Sequence, residues 1–513
     1  MENPAPAAGS EGSLLQRQLA RVERWGNLLP HPATLFILLA AAMVVASWLL
    51  SLAGVSVEHP VTQKPVSAVN LLSVDGLRRL ITGLVPNFVN FAPLGPVLVC
   101  LLGLAAAEHS GLLGACVRLV VNRTPRRWLT WVVVGCGAMS HTAGDIGYVL
   151  LLPLSMALFH ALGRHPLAGL AAAFSGVSGG FAANLLISTS DVVLAGLTQE
   201  AARLIDPKYA VNAMANYYFL GASVFLVTAL GAFVTERLVE PRLGRFEGEA
   251  PAQDLQPLGP AERRGLAWAG GTFLALAALV AAGLIPDGGV LQDPAKPGFI
   301  HSYFIKGLVF FIFVLGLAPA VVYGVATGSI RRDTDVYRAM QRTMELAAPY
   351  LVVVFFIAQF VNLFAWSNVG VILAVKGAAL LKSLQLGPVA LIVGLILLTA
   401  ATDLFLGSAS AKWAILAPVF VPMFMLLGYS PEMTQAAYRV GDSVMNVVTP
   451  LASNFPLVLM FAQRYAPRAG IGTMVALMLP YSLTYMVGWT LMLVLWLQAG
   501  LPIGPGVRML LNP

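Results

Sequence analysis

From Ala33 to Gly54 the chain carries no charged side chain. That is about 20 residues, the length a helix needs to cross a ~30 Å hydrocarbon core. Similar stretches recur to the C-terminus. Charged residues make up 11% of the 513 positions and apolar ones 58%, against roughly 25% charged in an ordinary soluble domain. So few polar groups cannot cover a water-facing surface. The expected class is an all-α integral membrane protein. Arg17, Arg21 and Arg24 precede the first apolar run, with no short apolar core and small-residue cleavage site before it. That run is expected to remain as a first helix and not to be a cleaved signal peptide. The net charge of +7 sits in short loops between apolar segments, which indicates topology and not nucleic acid. Cys100, Cys116 and Cys136 form no Cys-x-x-Cys pair and are expected to be buried free thiols.

Nine full spans are expected, near 33–54, 88–111, 168–198, 213–236, 264–285, 303–326, 345–375, 432–462 and 471–498. Two further apolar regions are interrupted by small and polar residues. They are 128–163, broken near 137–145, and 388–428, broken near 402–412. Irregular backbone at membrane depth is tolerated only against protein or a wet cavity, so both read as re-entrant helical hairpins. The positive-inside rule agrees when the N-terminus is cytoplasmic and both hairpins return to their own side. Arg118, Arg123, Arg126 and Arg127 then fall inside, as do Arg237, Arg242, Arg245, Arg263 and Arg264. Arg331, Arg332, Arg338, Arg342, Arg464 and Arg468 follow on the same side. The outer loops hold the sparser Lys64, Arg78, Arg79, Arg203, Lys208 and Lys296.

An internal repeat appears at an offset of 265 residues. Pro153, Gly163, Pro166 and Gly176 recur as Pro418, Gly428, Pro431 and Gly441. Shared Pro and Gly fix turns and helix breaks, so they weigh more than shared Leu or Ala. Five spans between the two hairpins invert the second half relative to the first. Residues 1–30 read as a cytoplasmic tail, 31–240 as the first repeat, 241–262 as a cytoplasmic loop and 263–513 as the second repeat. Inverted repeats with paired interruptions point to a midplane site and alternating access.

Polar groups in such repeats are costly, about 2.5–3.5 kcal/mol for a central Asp, Lys or Arg. They gather at the hairpin tips and at two broken helices. The tips carry Ser140, His141, Thr142 and Asp145, and then Asp403, Ser408, Ser410, Lys412 and Trp413. The broken helices carry Asn184 and Asp191, and then Arg439, Asp442, Asn446, Thr449, Pro450, Ser453 and Asn454. Broken helices free carbonyls for a cation and N–H groups for an anion. Arg439 and Asp442 are three apart and share a helix face. Either they neutralise each other, or Arg439 takes a substrate carboxylate while Asp442 couples to an ion or proton. Asp191 has no basic neighbour in sequence, which favours coupling. Asp403, Ser408 and Ser410 offer oxygens suited to sodium. Trp413 is read either as a stacking platform or as an interfacial anchor, and His141 as a hydrogen-bonded structural residue before a titrating one. No Walker A, His-Glu-x-x-His or Gly-x-Ser-x-Gly pattern is present, so transport draws on an ion gradient.

Three motifs, Gly407-Ser-Ala-Ser-Ala-Lys-Trp-Ala414, Ala437-Tyr-Arg-Val-Gly-Asp-Ser443 and Ser140-His-Thr-Ala-Gly-Asp145, resemble the AbgT family of p-aminobenzoyl-glutamate transporters. The resemblance implies nine transmembrane helices with two hairpins, a homodimer in the bacterial inner membrane, and p-aminobenzoyl-glutamate or related aryl carboxylates as substrate. No cofactor is implied beyond Na+ or H+ as coupling ion. The family's functional pattern falls on Asp191, Ser410, Trp413, Pro431, Arg439 and Asp442. With Asn184 and Asn454, the residues Trp413, Arg439, Pro431 and Ser410 make the expected substrate shell. Asp191, Asp442, Asp403 and Ser408 make the expected coupling set, with Asp403 and Asp442 as sodium ligands. The family pattern has Asn where this chain has Asp403. The alternatives are a proton-driven efflux pump for sulfonamides and p-aminobenzoate, a carrier of dicarboxylates or a sodium/proton exchanger, and, from another class, a channel or intramembrane enzyme.

Overall fold

The computed structural model describes residues 32–58, 63–140, 147–246, 258–286, 288–295, 299–403, 405–449, 452 and 454–511. Among these, the chain is almost wholly helical, with one short hairpin of strands pairing Ser56–Glu58 with Pro65–Ser67. Among the described residues, eight helical stretches are long and apolar enough to cross a membrane: Ala33–Leu52, Val74–His109 (interrupted at 90–93), Tyr217–Leu243, Pro260–Leu284, Leu308–Thr327, Asp333–Trp366, Ala409–Leu426 and Ile471–Gln498. The outward faces carry large apolar side chains such as Trp268, Leu274, Leu279 and Phe310, as lipid contact requires and water does not allow on this scale.

Several expected spans differ in detail. The span expected near 88–111 is a helix over Leu94–His109, preceded by a further helix over Val74–Val89 that Asp75, Arg78 and Arg79 hide from a hydropathy reading. The span near 345–375 is a helix over Asp333–Trp366, which stops where Asn368 takes a left-handed conformation (φ 60°) before Val369–Ser383 begins. In the two interrupted regions, described helices lie on either side of 140–146 and of 404–408. One helix ends at Met139 and the next helical turn begins at Gly147; another ends at Asp403 and the next begins at Ala409. The helix expected over 168–198 is broken between a π-turn at Ser175–Gly179 and the start of Thr189–Ala202. The one over 432–462 is broken between Pro431–Met445 and Phe455–Gln463. His141, Thr142, Asp145, Pro450 and Ser453 lie outside the described residues.

The 265-residue repeat is written into local geometry. Gly163 (φ 73°) and Gly428 (φ 91°) both sit in the left-handed region just past a helix end. Behind each, the same bond closes the turn: Arg164 N donates to Phe159 O at 2.8 Å and Tyr429 N to Phe424 O at 3.0 Å. This is the Schellman arrangement, which only glycine adopts without strain. Two residues after each of these turns, Pro166 and Pro431 start the next helix, where proline's missing N–H costs nothing.

Side chains from both halves of the chain build each of the two large packed clusters. One joins Val133, Phe159 and Ala172 to Ile396, Met433 and Tyr485; the other joins Phe36, Val192 and Leu197 to Phe360, Trp413 and Tyr438. The C-terminal segment straps these parts together. Ile503 O accepts from Tyr218 N and Phe219 N at 3.1 and 3.2 Å, and Met509 O accepts from Ser430 N at 2.9 Å. Those donors lie at helix starts, where backbone N–H groups lack intrahelical partners. The strap therefore anchors the start of the Pro431–Met445 helix, which carries Arg439 and Asp442. The cysteines are free, but only Cys100 is buried; Cys116 points outward from Leu112–Asn122 and Cys136 is half-buried.

Candidate functional site

Ser188 begins the Thr189–Ala202 helix, and Asp191 at its third position closes a capping box. One carboxylate oxygen of Asp191 accepts from Ser188 N at 2.7 Å, Ser188 Oγ at 2.8 Å and Asn184 Nδ2 at 3.0 Å. The other faces Arg439 Nη2 at 2.5 Å. Both partners are about 2% exposed, so each charge depends on the other for compensation. The Nε of Arg439 has no hydrogen-bond partner among the described residues. The basic partner of Asp191 comes from the other half of the chain, a pairing that neighbours in sequence could not reveal.

Three residues along the helix, Asp442 turns to a different cation. Its Oδ1 meets Lys412 Nζ at 2.6 Å, and Lys412 Nζ also contacts Asp403 Oδ1. Lys412 and Asp403 are fully buried. Tyr438 Oη donates within 3.2 Å of Asp442 Oδ1 and 2.5 Å of Ala409 O, and Asn446 Nδ2 approaches Asp442 Oδ2 at 3.4 Å. Of the two alternatives for this pair, the mutual neutralisation of Arg439 and Asp442 is not made. Arg439 is committed to Asp191 and Asp442 to Lys412, because side chains three apart diverge enough to reach different neighbouring helices. Asp403 and Asp442 do meet, but around an ammonium group.

Gly441 permits this meeting. A Cβ there would lie 2.5 Å from Ile396 O and 2.7 Å from Thr399 Cβ, so the Pro388–Asp403 and Pro431–Met445 helices touch backbone to backbone. Small residues of this kind let helices approach in lipid, where apolar burial does not drive association. Gly441→Val is expected to push the helices apart, lower stability by about 1–3 kcal/mol and separate Asp442 from Lys412. Detergent melting curves and uptake assays check it; unchanged values in both would show that the contact yields.

Trp413 is fully buried, so the interfacial-anchor reading does not hold. Its ring stacks on Tyr438 with centroids 4.4 Å apart and planes 29° apart. Its Nε1 donates to Thr198 Oγ1 at 2.9 Å, and that hydroxyl lies 2.9 Å from Gln435 Oε1. In this conformation the stacking partner is Tyr438.

A cavity of about 420 Å³, lined by none of these charged groups, opens where two helices begin; its volume lies within the ~300–1,000 Å³ range of small-molecule sites. Thr189 and Ser190 form one part of its wall, and Ser408, Ala409 and Ser410 another. These are the first turns of two helices, Thr189–Ala202 and Ala409–Leu426. Phe181, Leu194 and Tyr350 add an apolar and aromatic side. The Tyr350 hydroxyl meets no partner among the described residues.

The structure thus brings together Asn184, Asp191 and Arg439 in one cluster and Asp403, Asp442 and Lys412 in another, with Ser408 and Ser410 on the cavity wall. Asn454 stands at the start of Phe455–Gln463. Pro431 lies at the first turn of its helix, about 12 Å along the axis from Arg439, and is not part of the ion-pair cluster. The main residue that sequence reasoning left without a role is Lys412. It is the single charged residue of its helix, and that isolation was the available signal. Among the described residues no group of three or more His, Cys, Asp or Glu gathers as a metal site.

A model of the AbgT putative transporter family matches residues 17–511. The chain belongs to the AbgT transporter family. It is 42% identical, over 95% of its length and 96% of the relative's, to the p-aminobenzoyl-glutamate transport protein of Escherichia coli K12. Two solved structures share its fold. The YdaH transporter of Alcanivorax borkumensis, described as having an unusual topology, superposes with a TM-score of 0.89 at 46% identity, covering 93% of this chain and all of the other. MtrF of Neisseria gonorrhoeae, described as illuminating a class of antimetabolite efflux pumps, gives 0.90 at 46% identity, covering 96% of this chain and all of the other. This AbgT-family chain is a multi-pass membrane transporter and not an enzyme.

Proposed function

We propose that the chain is an ion-coupled secondary transporter of p-aminobenzoyl-glutamate or related aryl carboxylates, acting as a homodimer in the inner membrane with its N-terminus in the cytoplasm. The observation that carries this reading is the buried Asp191–Arg439 pair, whose carboxylate follows directly on Thr189 and Ser190 of the cavity wall. A carboxylate entering there meets backbone N–H groups and positive helix ends. It also competes with Asp191 for the guanidinium, whose Nε is still free to donate among the described residues. The aryl ring of the substrate lies against Phe181, Leu194 and Tyr350. Displacing Asp191 from Arg439 leaves that carboxylate in need of a new partner, which links substrate binding to an ion or proton. The 265-residue repeat, read as two inverted halves with re-entrant hairpins, supplies the alternating exposure of this site.

The relative from Escherichia coli supports the substrate class. The likeness to MtrF favours a second reading, export of antimetabolites. Purified protein in proteoliposomes, given labelled p-aminobenzoyl-glutamate under imposed proton and sodium gradients, is expected to accumulate the label with one gradient orientation. No uptake or counterflow of this compound, with gradient-driven movement of a sulfonamide, would replace the first reading by the second.

A further inference from the structure

The site expected to hold sodium does not fit it in this structure. The oxygens available are those of Asp403, Asp442, Tyr438 and the Ala409 carbonyl. Oxygen donors of this kind suit a hard monovalent cation. Yet the space between the two carboxylates is filled by Lys412 Nζ, which lies 2.6 Å from Asp442 and contacts Asp403. The group is not a solvated side chain that happens to reach inward. Lys412 is 1% exposed, begins its course one turn into the Ala409–Leu426 helix, and is the only charge that helix carries. Arg439 offers no alternative cation here, because Asp191 holds it at 2.5 Å.

We propose that Lys412 is a tethered cation standing where a free monovalent ion would otherwise bind between Asp403 and Asp442, so that this transporter does not take Na+ at that position. The inference rests on the carrier reading above and assigns its ion specificity to one residue. A covalently held ammonium needs no recruitment from solution; its effective concentration at the carboxylates is set by the tether alone. A sodium ion entering the same space must strip its own water and expel a group that the fold holds in place. Removing the ammonium reverses this. Two buried carboxylates then face each other without a counter-charge, an arrangement that a cation from solution relieves.

The test compares melting temperatures of the purified full chain in NaCl and in N-methyl-D-glucamine chloride at equal ionic strength. Uptake of labelled p-aminobenzoyl-glutamate is measured in the same two salts. The unsubstituted protein is expected to melt at the same temperature in both, with uptake unaltered by sodium. Lys412→Ala is expected to melt lower without sodium and to be raised by it in a saturable manner, with roughly tenfold sodium stimulation of any remaining uptake. Saturable sodium stabilisation of the unsubstituted protein overturns the proposal. So does a folded Lys412→Ala protein that ignores sodium. If that variant does not fold, Asp403→Asn with Lys412→Gln removes one charge of each sign and leaves Asp442 to bind sodium; a folded double variant without a sodium response also overturns it. The melting arm needs no substrate. Absence of uptake in every salt therefore counts against the substrate assignment alone, while the melting comparison reads Lys412.

Discussion

Arg439→Ala is expected to reduce transport to background and to lower stability by about 3–5 kcal/mol, the usual result of removing one partner from a buried ion pair. The loss of stability comes from Asp191, which is 2% exposed and keeps only neutral partners, Ser188 and Asn184, once the guanidinium is gone. Loss of transport has a separate cause. Arg439 is the buried cation to which a substrate carboxylate is proposed to bind, and alanine offers it nothing. Arg439→Lys separates the two effects. An ammonium restores the charge for Asp191, but it lacks the planar fork that bonds two groups at once. That variant is expected to recover most of the stability and little of the transport. Melting curves and proteoliposome uptake on the same preparations check both statements. Wild-type uptake in Arg439→Ala would remove the carboxylate role from this residue.

What the sequence made legible was whatever repeats or punctuates. Apolar stretches of spanning length stand out because the bilayer sets a fixed length for them. Gly163 and Gly428, with Pro166 and Pro431 after them, could be read as paired turns because glycine and proline are the residues with the narrowest backbone meaning. The buried charges were legible as a set, since a charge in an apolar helix is rare and costly. Their pairing was not. Asp191 and Arg439 are 248 positions apart, and no periodicity within either helix tells which neighbour the other will find. Asp442 was one candidate partner of Arg439, since residues three apart share a helix face. The fold instead used Gly441 to bring the Asp403 helix into contact and gave Asp442 to Lys412. The start of the long helix at Asp333 was hidden for the opposite reason, since a charged, water-facing turn continues without a break into an apolar one.

Trp413 shows the same limit and yields the second large effect. The sequence leaves this aromatic as either a stacking platform or an interfacial anchor, and only the packing shows that it is buried and which ring it stacks on. Here one face lies on Tyr438 and the indole N–H reaches Thr198, with no part of the side chain exposed. Trp413→Ala is expected to cost about 3–5 kcal/mol, as for other large-to-small changes of a buried aromatic. It also frees Tyr438, whose hydroxyl bridges Ala409 O and Asp442, so the Lys412 cluster loosens with it. Trp413→Phe keeps a stacked ring and gives up one hydrogen bond, about 0.5–1.5 kcal/mol. A strut between the two ion-pair clusters predicts that these losses appear in melting curves even without substrate, with substrate affinity of the folded fraction nearly unchanged in the phenylalanine variant. A ring that instead packs on the substrate predicts the reverse, weakened binding by Trp413→Ala with little change in melting. The complete burial of the ring, and the fit of both its face and its edge to protein groups, are what favour the strut.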